Sequence, residues 1–285
     1  MQKLFNNILV PVDFSRVSKK AFESAIETAN AYECNVHLLH VATISPLAAV
    51  AMAEGHVAVP DEQINNQKEL EFQLANLKND YLQLLENGKS VYTYLAKGLW
   101  NESIIDFVID HKIDLVLIGQ QGRSFRKKRM ILDANRIAEK TNIPVITIPE
   151  NRRLTGLTSI VIPITDFLPV KKLMYGVYIA QRFNATIRLL GIEDSKDGNQ
   201  AKKVQHYLKK SFQLIRDNCP VPVKMASVSG HNVADTVNDY AFKNAADLII
   251  VNPGKQTRMP GLFSSLFGNF LQKFSAPPVL TVNPV

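Results

Sequence analysis

NNILVPVDFSRVSKKAFESAIETANAYECNVHLLHV fills residues 6–41, and TSIVIPITDFLPVKKLMYGVYIAQRFNATIRLLGI fills residues 158–192. Each stretch begins with an apolar run that contains a proline, continues through a polar turn and a Lys-Lys pair, and closes on a second apolar run. The later parts repeat as well, because GLWNESIIDFVIDHKIDLVLIG (98–119) has the same pattern as GHNVADTVNDYAFKNAADLIIVN (230–252). A repeat of this length indicates two tandem copies of one domain, here termed copy one and copy two.

The repeat predicts one domain at residues 1–150 and a second at residues 155–285, joined by the polar and basic linker ENRRLTG. Within each copy, short continuous apolar runs such as LVLIG alternate with helical segments. Runs that are apolar throughout suit interior strands of a parallel sheet, which helices cover on both faces. We therefore predict an α/β fold with two tandem doubly wound domains. One covering helix is expected to bury an apolar stripe of Ile104, Ile105, Val108 and Ile109.

Composition limits the class of protein. A chain of 285 residues with 46% hydrophobic and 21% charged residues is typical of a globular protein. The net charge of +7 suits an anionic ligand, an acidic partner or nonspecific contact with nucleic acid or anionic membrane, or else it is spread over solvated faces. Only Cys34 and Cys219 are present, which excludes a disulfide framework and favours the cytoplasm. No apolar run reaches the roughly 20 residues of a membrane span, and no aromatic platform for nucleic acid is evident.

Ligands in doubly wound domains bind at the carboxyl ends of the strands, near the point where the strand order reverses. In copy one the residues at such ends are Asp13 after the first strand, Val41 at the end of the second, and Gly119 at the end of LVLIG. Gly119 and Gly122 form a Gly-x-x-Gly pair, and a basic run that includes Arg123 follows at once. These positions are the candidates for a binding site.

At these positions the sequence resembles the universal stress protein family, in its tandem two-domain form. The resemblance is carried by ILVPVDFS, LLHV, DLVLIG with its Gly-x-x-Gly, and PVITI, and it extends over both halves. It implies, for each copy, a five-stranded parallel sheet of the adenine nucleotide alpha-hydrolase-like type and a role in the stress response. It also implies that Asp13, Val41, Gly119 and Gly122 face a bound adenine nucleotide, ATP or AMP.

The sequence departs from the nucleotide-binding members of that family, which carry Gly-Ser or Gly-Thr nine residues after Gly-x-x-Gly. Counting from Gly122 leads to Leu132-Asp133, and counting back from Pro144 leads to Ile131-Leu132. Leucine cannot replace a glycine where backbone touches ligand, and Asp133 repels a phosphate. We therefore expect an eroded site in copy one.

Copy two departs further from that pattern. Thr165 stands where Asp13 would fall, although Asp166 follows it. Asn252-Pro253 replaces the first part of Gly-x-x-Gly, and proline removes an amide donor. We expect no nucleotide site in copy two.

Each candidate residue of copy one also has a purely structural interpretation, and the sequence leaves both open. Asp13 either contacts a nucleoside or forms a helix cap or Asx turn. Gly119 and Gly122 either approach phosphates or supply a turn with positive φ. Arg123 and Arg126 either contact phosphates or lie on a solvated face.

The sequence contains no nucleophile elbow, no paired carboxylates after strands and no histidine spacing typical of a metal site, so no catalytic or metal residues are assigned. We predict a non-enzymatic tandem stress protein in which copy one has impaired or selective adenine-nucleotide binding, with no cofactor assigned beyond ATP or AMP. The alternative is an ATP-binding switch that uses the Gly119 and Gly122 loop. The closing strands PVITI and PVLTV are expected to pair within the chain. A homodimer and protein partners are compatible with the sequence but are not indicated by it.

Overall fold

The computed structural model describes residues 3–43, 61–86, 88–120, 132–194, 197–230, 232–253 and 277–284. Strands and helices alternate along this part of the chain. The elements are β1 (Asn7–Pro11), α1 (Arg16–Tyr32), β2 (Asn35–Thr43), α2 (Asp61–Leu82), β3 (Val91–Gly98), α3 (Trp100–Asp110), β4 (Leu115–Gln120), α4 (Ala134–Thr141), β5 (Val145–Pro149), β6 (Ser159–Ile164), α5 (Val170–Phe183), β7 (Thr186–Glu193), α6 (Gly198–Asn218), β8 (Val223–Ser229), α7 (Val233–Lys243), β9 (Leu248–Val251) and β10 (Val279–Thr281). None of the described helices is both long enough and apolar enough to cross a membrane.

The described residues up to Gly119 form one compact unit. Its strands lie in the order β3-β2-β1-β4, and the neighbouring strands are parallel. The chain moves outward from β1 to β2 and β3, and then returns to the other side of β1 for β4. This reversal makes the space beyond the carboxyl ends of β1 and β4 the switch point of the unit, where doubly wound sheets bind ligands.

The described residues from Ala134 onward form the second compact unit. Within it, β6 pairs in parallel with β7 and β9, β7 with β8, and β9 with β10. The register of copy one repeats in copy two, because Pro11 lies opposite Leu39 and Pro163 lies opposite Leu190. The switch point of this unit therefore lies at the carboxyl ends of β6 and β9. The predicted fold class, an α/β fold with parallel strands flanked by helices, is confirmed.

Strand β5, which the repeat assigns to copy one, lies in the second compact unit. There it pairs antiparallel with β10, with Thr147 opposite Val279. The hydroxyl of Thr147 also donates a hydrogen bond to the carbonyl of Val279 at 3.4 Å. Contacts thus divide the chain before β5, whereas the repeat-based domain boundaries, 1–150 and 155–285, stay a prediction.

The interior strands are buried on both faces, as their continuous apolar runs predict. Ile8, Leu9 and Val10 of β1 have no exposed surface, and every residue of β6 is buried. Burying one such side chain stabilises the fold by about 1.5–3 kcal/mol. By contrast, β3 and β8 pair with a single strand inside their units and carry exposed residues. The central strands are therefore the rigid support of the strand ends where a ligand would bind.

The buried face of helix α3 is narrower than the apolar stripe predicted from the sequence. Ile104 and Val108 are 0% and 2% exposed, and Phe107 joins them, whereas Ile109 is 61% exposed. The prediction for Ile109 was wrong, because successive helical residues turn by about 100° and Ile109 lies on the side of the helix opposite Ile104 and Phe107. Phe107, three residues after Ile104, is the residue that completes the buried face.

Candidate functional site

The first candidate residue, Asp13, follows β1 at the switch point of copy one and is half-buried. Its Oδ1 accepts a hydrogen bond from the Ser15 backbone N–H at 3.1 Å and another from the Ser15 hydroxyl. Its own N–H donates to the Ser18 hydroxyl at 3.3 Å. Oδ1 accepting from the amide two residues on is an Asx turn. The structural interpretation of Asp13 is therefore present in the fold, and it places a carboxylate at the edge where ligands bind.

Helix α1 begins directly after this turn. Ser15 is its N-cap, with an extended backbone and a side chain that accepts from the Ser18 N–H at 3.3 Å. The hydroxyl of Ser18, which is buried, donates to the carbonyl of Ser15 at 3.0 Å. The two serines thus provide hydrogen bonds for the backbone groups at the start of the helix. They fix its first turn beside the carboxyl ends of the strands.

Gly119 is the second-to-last residue of β4 and lies where α1 begins, and packing explains why it is glycine. A Cβ atom at this position would lie 2.2 Å from the carbonyl oxygen of Val17 and 3.0 Å from the backbone nitrogen of Ser18. Both contacts are to backbone, which cannot move aside as a flexible side chain can. A turn with positive φ is not the reason, because Gly119 is absent from the positive-φ glycines of the described residues.

The other predicted residues are placed as follows. Val41 of β2 is 1% exposed and lies opposite Ala96 of β3, so a nucleoside could reach only its backbone and not its side chain. Gly122, Arg123 and Arg126 lie outside the described residues. Their predicted contacts with phosphates stay predictions.

His40, near the end of β2, is a further residue at this site. Its Nδ1 lies 2.8 Å from the carbonyl oxygen of Val12, and its ring packs against Phe14 and Trp100, with centroids 4.8 and 5.4 Å apart. A carbonyl only accepts, so Nδ1 carries the proton and Nε2 carries the lone pair of the neutral ring. Burial lowers the pKa of His40, against the opposing effects of the Val12 carbonyl and the Asp13 carboxylate.

His40 thereby supports the turn that carries Asp13. Phe14 has a left-handed φ of 59°, which a residue with a large side chain seldom adopts. The His40 ring packs at a tilt of 31° against Phe14 and bonds to the carbonyl of Val12, so it contacts the residues on both sides of Asp13 in the chain. The signal in the sequence was the position of His40 at the end of an apolar run, but its partners come from separate segments of the chain.

Copy two has different groups at the equivalent strand ends. Thr165 follows β6 and is buried, whereas Asp166 is exposed, so no buried carboxylate replaces Asp13 among the described residues at this edge. Asn252, which immediately follows β9, is 2% exposed. In the described part of the chain, no group of three His, Cys, Asp or Glu residues could hold a metal ion.

Comparisons with known proteins concern the family and the fold of the chain. A family model described as the universal stress protein family matches residues 4–149. Universal stress protein MJ0531 of Methanocaldococcus jannaschii is 24% identical over 153 residues, which cover 53% of this chain and 86% of that protein. Universal stress protein YxiE of Bacillus subtilis is 26% identical over 149 residues, which cover 51% of this chain and 99% of that protein.

One solved structure is similar over both halves. The crystal structure of a universal stress protein from Archaeoglobus fulgidus covers 100% of this chain and of its own chain, with a TM-score of 0.70 and 13% sequence identity. Identity at this level concerns the fold alone. The likeness nevertheless extends through copy two, beyond the residues that the family model matches.

Proposed function

Because the chain belongs to the universal stress protein family, whose members act in the stress response, we propose that it is a non-enzymatic stress-response module in which copy one binds adenine nucleotide mainly through the nucleoside. The non-enzymatic part rests on the sequence, which contains no nucleophile elbow and no other catalytic motif after its strands. A fold that enzymes share does not bring their chemistry with it.

The nucleoside half of the proposal is supported by the groups that converge at the switch point of copy one. The Asp13 carboxylate suits the hydroxyls of a ribose or the amino group of a base, since it accepts hydrogen bonds and carries negative charge. The same charge disfavours a phosphate beside it. His40 and the N-cap of α1 hold Asp13 in place at this edge.

We expect binding of the nucleotide's phosphate groups to be weak in copy one, and one hydrogen bond is the main reason. The backbone N–H of Asp133, where binding members would present a free amide, donates to Oδ1 of Asn101 at 3.0 Å. Asp133 is exposed and precedes α4, so its negative charge also stands at the helix N-terminus that would otherwise favour a phosphate. The Asp133 amide already donates to Asn101, and the Asp133 carboxylate is unfavourable for a phosphate at this position.

A titration of the full chain tests this proposal. We expect adenosine and AMP to bind and ATP to bind no more tightly than AMP, as measured by isothermal titration calorimetry. Asp13→Asn keeps an oxygen for the Asx turn but removes the charge, and it should weaken AMP binding by about tenfold, the effect of one charge-assisted hydrogen bond. Asp166→Asn, at the exposed position after β6, is the matched control and should bind AMP as the wild type does.

The alternative function is an ATP switch that uses Gly119 and Gly122. It predicts the opposite order of affinities for ATP and AMP. ATP would then bind at least about a hundredfold more tightly than AMP, because several amides would contact the β- and γ-phosphates. Absence of binding by any adenine nucleotide would remove both functions and leave a module that acts through protein contacts.

Introducing the Gly-Ser pair that is missing at positions 132 and 133 should strengthen ATP binding. In the variant Asn101→Ala, Leu132→Gly, Asp133→Ser, the amide at position 133 is released and the negative charge is removed. We expect the affinity for ATP to rise about tenfold to a hundredfold while that for adenosine stays unchanged. Asn101→Ala alone is the control, since it frees the amide but leaves the Asp133 carboxylate. An ATP affinity that does not rise in the triple variant would show that these residues do not limit phosphate binding.

A further inference from the structure

The switch points of the two copies differ in one position. Copy one has a glycine there, against which backbone packs, whereas copy two has a residue with a polar side chain. Strands β4 and β9 pair with β1 and β6 in the same register, so Asn252 occupies the position of Gly119. Helix α5 correspondingly begins further from its strand than α1 does. The helix in copy one starts at Arg16 after Pro11, and that in copy two starts at Val170 after Pro163. Counted back from the C-cap residues Glu33 and Asn184, Val17 and Ser18 of α1 correspond to Leu168 and Pro169, which precede α5.

Lys172 lies on the face of α5 that is directed at the sheet. Gly176, one turn later on the same face, lies so close to the strands that a Cβ there would be 2.6 Å from Ile162 of β6 and 3.5 Å from Ile250 of β9. Lys172 is 1% exposed, and its Nζ donates to the carbonyl oxygen of Pro163 at 2.6 Å. Its ammonium group is thus held between α5 and the carboxyl end of β6.

Asn252 reaches the same layer from β9. It follows Ile250 by two positions, and alternate residues of a strand share a face, so it too lies on the α5 side of the sheet. Its Nδ2 donates to the carbonyl of Val282 at 2.7 Å, which assigns the orientation of the amide, since a carbonyl only accepts. Its Oδ1 is buried and has no hydrogen-bond partner among the described residues. A buried acceptor without a donor is unfavourable and calls for one.

We propose that copy two binds a small oxyanion that carries its own proton, such as hydrogen phosphate, between Lys172 and Asn252. The ammonium group donates to the anion, and the P–OH group of the anion donates to Oδ1 of Asn252. Full burial of both side chains limits the ligand to a small ion and excludes a nucleotide. Thr165, which is also buried, follows β6 at this edge. Sulfate matches phosphate in size and shape but has no proton to donate at neutral pH, so the site discriminates between the two.

The state of Lys172 supports a coupled uptake of protons. Burial lowers the pKa of its ammonium group from the usual 10.5 to about 7. A bound anion raises that pKa again, because an opposite charge favours the charged form. Phosphate binding above pH 7 therefore takes up protons, and calorimetry in two buffers of different ionisation enthalpy measures their number.

The test is titration of the full chain with inorganic phosphate and with sulfate at pH 7.5. We expect wild type to bind phosphate with proton uptake and at least about tenfold more tightly than sulfate. Lys172→Met should lose phosphate binding and the proton uptake. Asn252→Leu should lower phosphate affinity to that of sulfate without changing sulfate affinity. Lys171→Met, whose Nζ donates to Asn142 at 2.8 Å, removes a neighbouring charge and should bind as wild type.

Three results would overturn the proposal: equal affinities of wild type for phosphate and sulfate, no binding of phosphate at all, or phosphate binding that survives unchanged in Lys172→Met. The last result would assign the anion to another part of the chain. Folding of each variant is checked by its urea unfolding transition, and Lys172→Met is expected to stay folded because it replaces a buried charge by an apolar side chain of similar length. Nucleotide binding in copy one is measured separately, so failure here leaves the proposed function intact.

Discussion

Gly119→Ala is expected to destabilise copy one by about 3 kcal/mol, the upper end of the usual effect of overpacking. The added Cβ would lie 2.2 Å from the carbonyl oxygen of Val17, so either the first turn of α1 or the end of β4 has to move. Because Asp13 and Ser15 lie in the turn that leads into α1, the same variant should also lose binding of AMP. Urea unfolding of the full chain, followed by far-UV circular dichroism, measures the shift of the copy-one transition.

Gly198→Ala is the matched control for this variant. Gly198 starts α6, and a Cβ there would have nothing within 4 Å. Alanine is the better helix former, so the control should be neutral or slightly stabilising. If Gly119→Ala unfolds at the same urea concentration as wild type, the first turn of α1 yields without cost, and packing is not the reason for this glycine.

Lys172→Met is expected to raise the stability of copy two at pH 7 and to remove its dependence on pH. Burial lowers the pKa of Lys172 from 10.5 to about 7, so the unfolded chain binds more protons than the folded chain between these pH values. Stability of the wild type therefore rises with pH in that window and is lowest below pH 7, where the buried amine is charged. Each pH unit within this window corresponds to about 1.4 kcal/mol, so the rise between pH 7 and pH 9 is on the order of 3 kcal/mol.

The net gain of Lys172→Met at pH 7 is smaller, roughly 1–3 kcal/mol, because the variant leaves the carbonyl of Pro163 without this donor. Urea unfolding at pH 7, 8 and 9 in phosphate-free buffer measures both effects. Work above pH 9 is avoided, since burial raises the pKa of Cys34 to about 12 and the folded state then loses stability as pH rises. Lys171→Met should keep the pH dependence of wild type. A Lys172→Met variant that retains this dependence would assign it to another group.

Much of the fold could be predicted from the sequence, because it depends on patterns within short segments. Continuous apolar runs identified the interior strands, and the buried residues of β4 and β6 bear this out. Alternation of strands with helices indicated the parallel α/β class. The place of Asp13 beyond β1 followed from the same pattern, since a residue that follows a parallel strand lies at the ligand-binding edge.

Other features could not be predicted, because they depend on contacts between distant segments. The repeat treats Lys172 as the equivalent of Lys20, which is half-buried and pairs with Glu23. Counted back from the left-handed C-cap residues Glu33 and Asn184, however, Lys172 takes the place of the buried Ala21. The segment from Pro163 to the C-cap Asn184 is one residue shorter than that from Pro11 to Glu33, so the face of α5 that meets the sheet is shifted by one residue.

The sequence by itself determined the tandem repeat, the class of fold, the family resemblance and the loss of Gly-Ser at Leu132 and Asp133. Each of these can be recognised in short segments of the sequence. The strands and helices in particular follow from the spacing of apolar residues, because the hydrophobic effect buries those residues on one or both faces of an element. The tertiary structure alone decided that Gly119 makes room for a helix, that the Asp133 amide donates to Asn101, and that Lys172 is enclosed with its Nζ at the Pro163 carbonyl. Each of these depends on close packing, in which one residue more or fewer between a strand and the end of the next helix changes which atoms meet.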